Sequence, residues 1–85
     1  MLKIIDNYET SEEIFQEMVG GNIEIITLKN GDILVINQDG KKLNLNYNSE
    51  ATKIYQDNGG VRGMDIVGMA VVVKKGLLKL DITTS

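Results

Sequence analysis

Residues 66–73, Ile-Val-Gly-Met-Ala-Val-Val-Val, form an apolar run with no polar residue interrupting it. A strand of that kind must be covered on both faces. A pair of short helices on one side would leave the other side bare. The run therefore implies either a central strand beneath helices and a neighbouring copy, or a seam between two copies. A homo-oligomer is expected on that ground. The 85 residues suffice for a single domain, 1–85. With no cysteine to supply disulfides, packing alone must hold it.

Upstream of that run the pattern alternates between strands and helices. Leu2-Lys3-Ile4-Ile5 reads as a first strand. Thr10-Ser11-Glu12-Glu13 has the form of a capping box, and Ile14, Phe15, Met18 and Val19 follow at helical spacing, so a helix is expected over 11–19. Gly20-Gly21 stops it. Ile23, Ile25 and Ile26 lead to Leu28 and to Asn30-Gly31, a two-residue hairpin signal. Ile33 to Ile36 is continuous and apolar, as in a central strand. Leu43, Leu45 and Tyr47 alternate with polar residues and predict a half-buried strand. Asn48-Ser49-Glu50 starts a second, short helix with Ala51, Ile54 and Tyr55 on one side. Leu77 to Ile82 predicts a last strand. The expected fold is α+β, a largely antiparallel sheet in the order β-α-β-β-β-α-β-β with two short helices packed on it.

Composition removes several chemistries. The chain has no histidine, cysteine or tryptophan, so nucleophile–histidine systems and the usual zinc and haem ligands are excluded. No metal and no cofactor are expected. Residues 1–27 carry six carboxylates and one lysine, whereas residues 28–85 carry eight bases and six acids. The pairs Lys41-Lys42 and Lys74-Lys75 are too short for a basic stripe and read as turn solubility, so general nucleic-acid binding is not expected. No apolar run reaches membrane-spanning length, and the opening residues lack a signal-peptide core. A cytoplasmic location follows as the expectation.

Three features carry candidate chemistry. Asn58-Gly59-Gly60-Val61-Arg62-Gly63 combines bare backbone with the only arginine of the chain. Such a loop suits a phosphate or carboxylate; a flexible connection with a solvated arginine, the plainer reading of the residues, or one paired to Asp65 stands against it. It is neither a P-loop nor a dinucleotide fingerprint, because a strand follows instead of a helix. Tyr47 and Asn48 supply a ring and an amide for base or ribose recognition; Asn48 also reads as a helix cap. The acidic helix residues Glu12, Glu13 and Glu17 form a solvated face or a docking face for a basic partner. Glu24 and Asp65 are placed to form an acid–base pair across the sheet, against the plainer reading of solvated carboxylates.

Phe15-Gln16-Glu17-Met18-Val19-Gly20-Gly21-Asn22-Ile23-Glu24 resembles the "LQ-x-x-VGG-aromatic-IE" opening of a small domain-of-unknown-function family of phages, plasmids and bacteria. Val35 to Gly40 is similar to its "V-V-N-E-x-G" turn, and Asn48 with Ala51-Thr52 to its "N-x-x-A-T" step. Asp65 to Val73 is similar to its closing "D-x-I-x-G-x-x-x-V" strand. Asn22 departs from the pattern, standing where the family usually has an aromatic. The resemblance implies no catalytic residues, and implies an accessory protein of a mobile element directed at host physiology or defence.

The expected function is therefore non-catalytic counter-defence, binding and sequestering a small anionic, nucleotide-type ligand. Its expected contacts are Gly20, Gly21, Tyr47, Asn48, Gly59, Gly60, Arg62 and Gly63. The alternatives are a protein inhibitor that docks Glu12, Glu13 and Glu17 on a host protein, and a structural or regulatory module without a ligand.

Overall fold

A computed structural model describes residues 2–5 and 12–75. Thr10 and Ser11 of the expected capping box, and the strand expected at 77–82, lie outside the described residues. Within them the order is β1 (Leu2–Ile5), α1 (Glu12–Val19), β2 (Ile23–Thr27), β3 (Ile33–Asn37), α2 (Ser49–Asp57) and β4 (Ala70–Val73). The four strands form one sheet in the spatial order β1-β4-β3-β2. Only the β1–β4 pair is parallel, with Leu2 beside Ala70 and Ile5 beside Val73. The fold is α+β and mostly antiparallel.

The two helices lie on opposite faces of this sheet. Phe15 and Val19 of α1 pack on Ile5, Val35, Val71 and Val73. Ala51 and Tyr55 of α2 pack on Leu34, Ala70, Val72, Leu28 and Ile66. Successive residues of β3 and β4 thus serve alternate cores, as the two-residue repeat of a strand requires. All four residues of β4 are buried. Its two faces are covered within one chain, so this strand does not itself require a neighbouring copy.

Two expected strands are shortened or replaced. The apolar run 66–73 contributes only Ala70–Val73 to the ladder. Gly68, at φ 81°, breaks the extended chain, and Val67 makes a single antiparallel bridge to Tyr47. The expected strand at 43–47 is a succession of turns. Leu43 N donates to Asp39 O, Asn44 N to Lys41 O and Leu45 N to Gly40 O. Asn44 takes the left-handed conformation at φ 57°. The place beside β3 that this segment would have filled belongs to β4. The alternation of Leu43 and Leu45 reflects a looped chain in which Leu45 packs on Gly68 while Leu43 stays exposed.

The β2–β3 connection also differs in detail. Leu28 N donates to Asp32 O and Gly31 N to Leu28 O, with Gly31 at φ 95°. That is a three-residue hairpin loop, Lys29-Asn30-Gly31, with glycine in the left-handed position, in place of the two-residue turn.

α1 ends as its sequence predicts. Gly20 N and Gly21 N both donate to Gln16 O, at 2.9 and 3.0 Å. Gly20 has φ 81° and open space where a Cβ would stand. A side chain there meets no obstacle, so the cost of Gly20→Val is purely that of the left-handed backbone, about 1 kcal/mol or somewhat more. Thermal melting should show this drop, and an unchanged curve would refute it.

Candidate functional site

The loop from Asn37 to Lys42 leaves the end of β3 through a side-chain-stabilised turn. Asn37 is buried; its Nδ2 donates to Val19 O at 3.1 Å and its Oδ1 accepts from Asp39 N at 2.8 Å. This ties the loop to the end of α1. Gly40 then passes against Val67 so closely that a Cβ would stand 2.8 Å from Val67 Cγ2 and 3.4 Å from Val67 O. Glycine is required there by that close approach.

The facing wall, residues 64–68, is held by α2. Thr52 Oγ1 accepts from Ile66 N at 2.8 Å and donates to Ile66 O at 3.3 Å. Asn48 N donates to Ile66 O at 2.9 Å, and Asn48 Nδ2 donates to Gly68 O at 2.8 Å. Tyr55 Oη accepts from Val61 N at 3.0 Å and donates to Met64 Sδ at 3.4 Å. Gln56 Nε2 reaches Met64 O at 3.3 Å. A loop that would otherwise wander is thereby fastened at several points.

Between these two walls and the α2 face of the sheet lies a hollow of about 450 Å³. Its apolar part comes from Ile26 of β2, Ile36 of β3, Tyr55 of α2, and Met64, Ile66 and Val67. Glu24, Asp39 and Asp65 bring carboxylates to its lining, and Lys41 and Lys42 bring ammonium groups. Glu24, Lys41, Lys42 and Asp65 are exposed, so their charges sit in water above a drier interior. Hollows of this size and make-up, apolar with a few polar groups, are typical of small-molecule sites. Among the described residues no cluster of three or more acidic, histidine or cysteine side chains is placed to hold a metal ion.

The residues expected from sequence to bind a ligand lie elsewhere. Gly20 and Gly21 lie at the end of α1, before β2, with Gly21 against the Asn37 amide. Gly59 lies beyond α2, close to Lys29 at the other end of β2, where Lys29 N donates to Asn58 O. The five residues of β2 separate the two glycine pairs, a span of roughly 15 Å. Gly60 is pressed against Tyr55, where a Cβ would stand 2.5 Å from Tyr55 O. Its N–H donates to that same oxygen at 2.9 Å, so this amide serves the helix end. Gly63 has open space about it. Arg62 is exposed and joins no ion pair among the described residues, Asp65 included. Asn48 is the cap of α2, its Oδ1 accepting from Ala51 N at 3.0 Å. Tyr47 is exposed beyond its bridge to Val67. The structure thus gathers Gly59 to Gly63 in one loop and Tyr47 with Asn48 under the 66–68 wall, and none of these residues lines the hollow.

On α1, Glu12 Oε2 accepts from Gln16 Nε2 at 3.4 Å, while Glu13 and Glu17 are exposed one turn apart. Glu24 and Asp65, weighed from sequence as a pair across the sheet, do line the same hollow. Lys41 and Lys42, assigned from sequence to solubility, line it too. Their adjacency to a glycine turn was the one local signal that pointed toward it.

A family model described as a domain of unknown function, DUF3846, matches residues 3–79. The chain belongs to the DUF3846 family. The match spans every described strand and helix except the first residue of β1, so the hollow is built entirely from segments that the DUF3846 model covers. No curated protein and no solved structure matches the chain. Among the described residues of this DUF3846 chain, no helix is long and apolar enough to cross a membrane.

Proposed function

We propose that this DUF3846 chain binds a small anionic, nucleotide-type molecule in the hollow beside Tyr55 and acts by occupying it, without turnover. The observation that carries the reading is the combination in one 450 Å³ hollow of an apolar interior with Lys41, Lys42 and three carboxylates at its lining. Ile26, Ile36 and Val67 suit the face of a flat ring. Carboxylates accept hydrogen bonds from sugar hydroxyls or exocyclic amines, and the two ammonium groups attract a phosphate. The loop Arg62 and the glycine pairs are not needed for this binding. In the mobile-element setting implied by the sequence resemblance, stoichiometric capture of a host nucleotide signal is a counter-defence activity.

The test is a thermal-shift series against cyclic and ADP-ribose-type nucleotides. Stabilisation should grow with the logarithm of concentration and reach about 10–20 °C at a hundredfold excess over Kd. Lys41→Ala with Lys42→Ala should remove most of that shift at low salt, and added salt should weaken the wild-type response, since both lysines are exposed. The absence of any shift across the series would overturn the reading. A shift that survives the double substitution would move the anion site away from these lysines.

A second reading rests on α1. Glu13 and Glu17, exposed and one turn apart, present an acidic face suited to a basic host protein. Charge reversal of both, read against binding of a basic partner, separates it from the first.

A further inference from the structure

Among the described residues β2 is the last strand of the sheet, paired to β3 on one side only. Its ladder parity is given by the bonds at its ends: Gln38 N donates to Asn22 O and Leu28 N donates to Asp32 O. In an antiparallel pair, alternate residues exchange both bonds with the neighbour. The even residues Asn22 to Leu28 therefore face β3, and the odd residues Ile23, Ile25 and Thr27 turn their N–H and C=O groups outward. None of those outward groups meets a partner among the described residues.

Open edges are normally defended by lysine, proline or a bulge. The other edge strand, β1, carries exposed Lys3. β2 reads Ile-Glu-Ile-Ile-Thr, four of its five residues β-branched and none basic. Its pattern is also self-complementary. About a twofold axis at Ile25, Ile25 meets its own copy and Ile23 meets Thr27, so every outward-facing residue opposes an outward-facing one. That register engages all three odd residues and forms about six hydrogen bonds. It also sets Glu24 opposite an isoleucine and never directly opposite another carboxylate, which avoids the like-charge penalty of a cross-strand pair.

We propose that two copies of this chain join through antiparallel pairing of β2 about Ile25, merging two four-stranded sheets into one. The half-buried Ile23 and Ile25 on the α1 face gain cover from the same residues of the second copy. On the α2 face, Glu24 and Ile26 line the hollow. The pairing sets the partner's Ile26 beside Glu24, so the two hollows flank the axis on one face of the joined sheet. The association stands on the strand edge and does not depend on whether the hollow takes a nucleotide.

Sedimentation velocity of the full chain over a dilution series, without nucleotide, is the first measurement. A species of about twice the 9.4 kDa chain mass is expected, dissociating on dilution. Ile25→Pro and Thr27→Pro each delete an outward N–H that β3 does not use, so the β2–β3 ladder survives. Both should sediment as single chains while retaining the wild-type far-ultraviolet dichroism. Should a proline variant misfold, hydrogen exchange on the wild-type protein decides: the amides of Ile23, Ile25 and Thr27 should be protected at high concentration and lose protection on dilution. A single-chain species at every concentration, a folded dimer in both proline variants, or concentration-independent exchange at these amides would each overturn the proposal.

Discussion

Phe15→Ala should remove about 4 kcal/mol of stability, the largest loss expected of any single substitution considered for this chain. Phe15 has no solvent exposure and is the largest side chain in the core beneath α1. α1 is only eight residues long, too short to persist without its apolar face against the sheet. Truncating the ring removes the main anchor of that face and leaves a cavity over Val35, Val71 and Val73, which cannot close without moving the sheet. A chain of 85 residues has a total stability of roughly 4–13 kcal/mol, so the variant should sit close to the limit of folding. Urea titration followed by dichroism gives the number. A loss below about 1 kcal/mol would mean that the helix contributes little and that the cavity collapses freely.

Asn48→Ala should cost about 3 kcal/mol, from two separate causes. The first is the cap: Asn48 Oδ1 takes the amide of Ala51, and losing a side-chain cap costs typically about 1 kcal/mol. The second is the buried carbonyl of Gly68, which loses its donor at 2.8 Å, with a further penalty of about 2 kcal/mol for an unsatisfied buried group. The melting temperature should fall by roughly 15 °C. Asn48→Asp separates the two causes, because it keeps the capping oxygen but offers no donor to Gly68 O. A melting curve for Asn48→Asp equal to that of wild type would exclude the Gly68 contact as a source of stability. Since Asn48 fastens the wall of the hollow, any nucleotide response should weaken along with stability.

Local patterns reported the elements well where a residue's role depends on its neighbours in sequence. Helix α1 and its glycine stop are legible because the apolar spacing of Ile14, Phe15, Met18 and Val19 and the left-handed Gly20 are local properties. β3 is legible as a strand covered on both sides because Ile33 to Ile36 offers no face to water. The reading failed at 43–47, where the alternation of Leu43, Leu45 and Tyr47 matched a strand and the tertiary arrangement gave that position to β4. It also failed at Val67, where a left-handed Gly68 cuts an otherwise perfect apolar run.

The candidate site was less legible for a different reason. Ile26, Ile36, Lys41, Tyr55 and Val67 are ordinary residues of ordinary segments, and only the fold brings them round one hollow. Of the features that stood out in sequence, Gly20, Gly21 and Gly60 are used by the backbone. Gly20 and Gly21 close α1 and Gly60 N–H closes α2, so these amides already have partners. A glycine-rich loop suggests an anion site only while its amides are unspent, and that is a property of the folded chain.

β4 lies between β1 and β3, yet it is the last described strand to leave the ribosome. Leu2 waits for Ala70, sixty-eight positions later, before it meets its described neighbour in the sheet. Until then, among the described strands, β1 has no partner and β3 is paired to β2 alone. A nascent chain stalled before residue 70 therefore lacks one of the two strands common to both cores. Such long sequence separations slow the search for the native pairing. Removing β4 takes away one of the two inner strands that serve both cores and leaves β1 without its described partner.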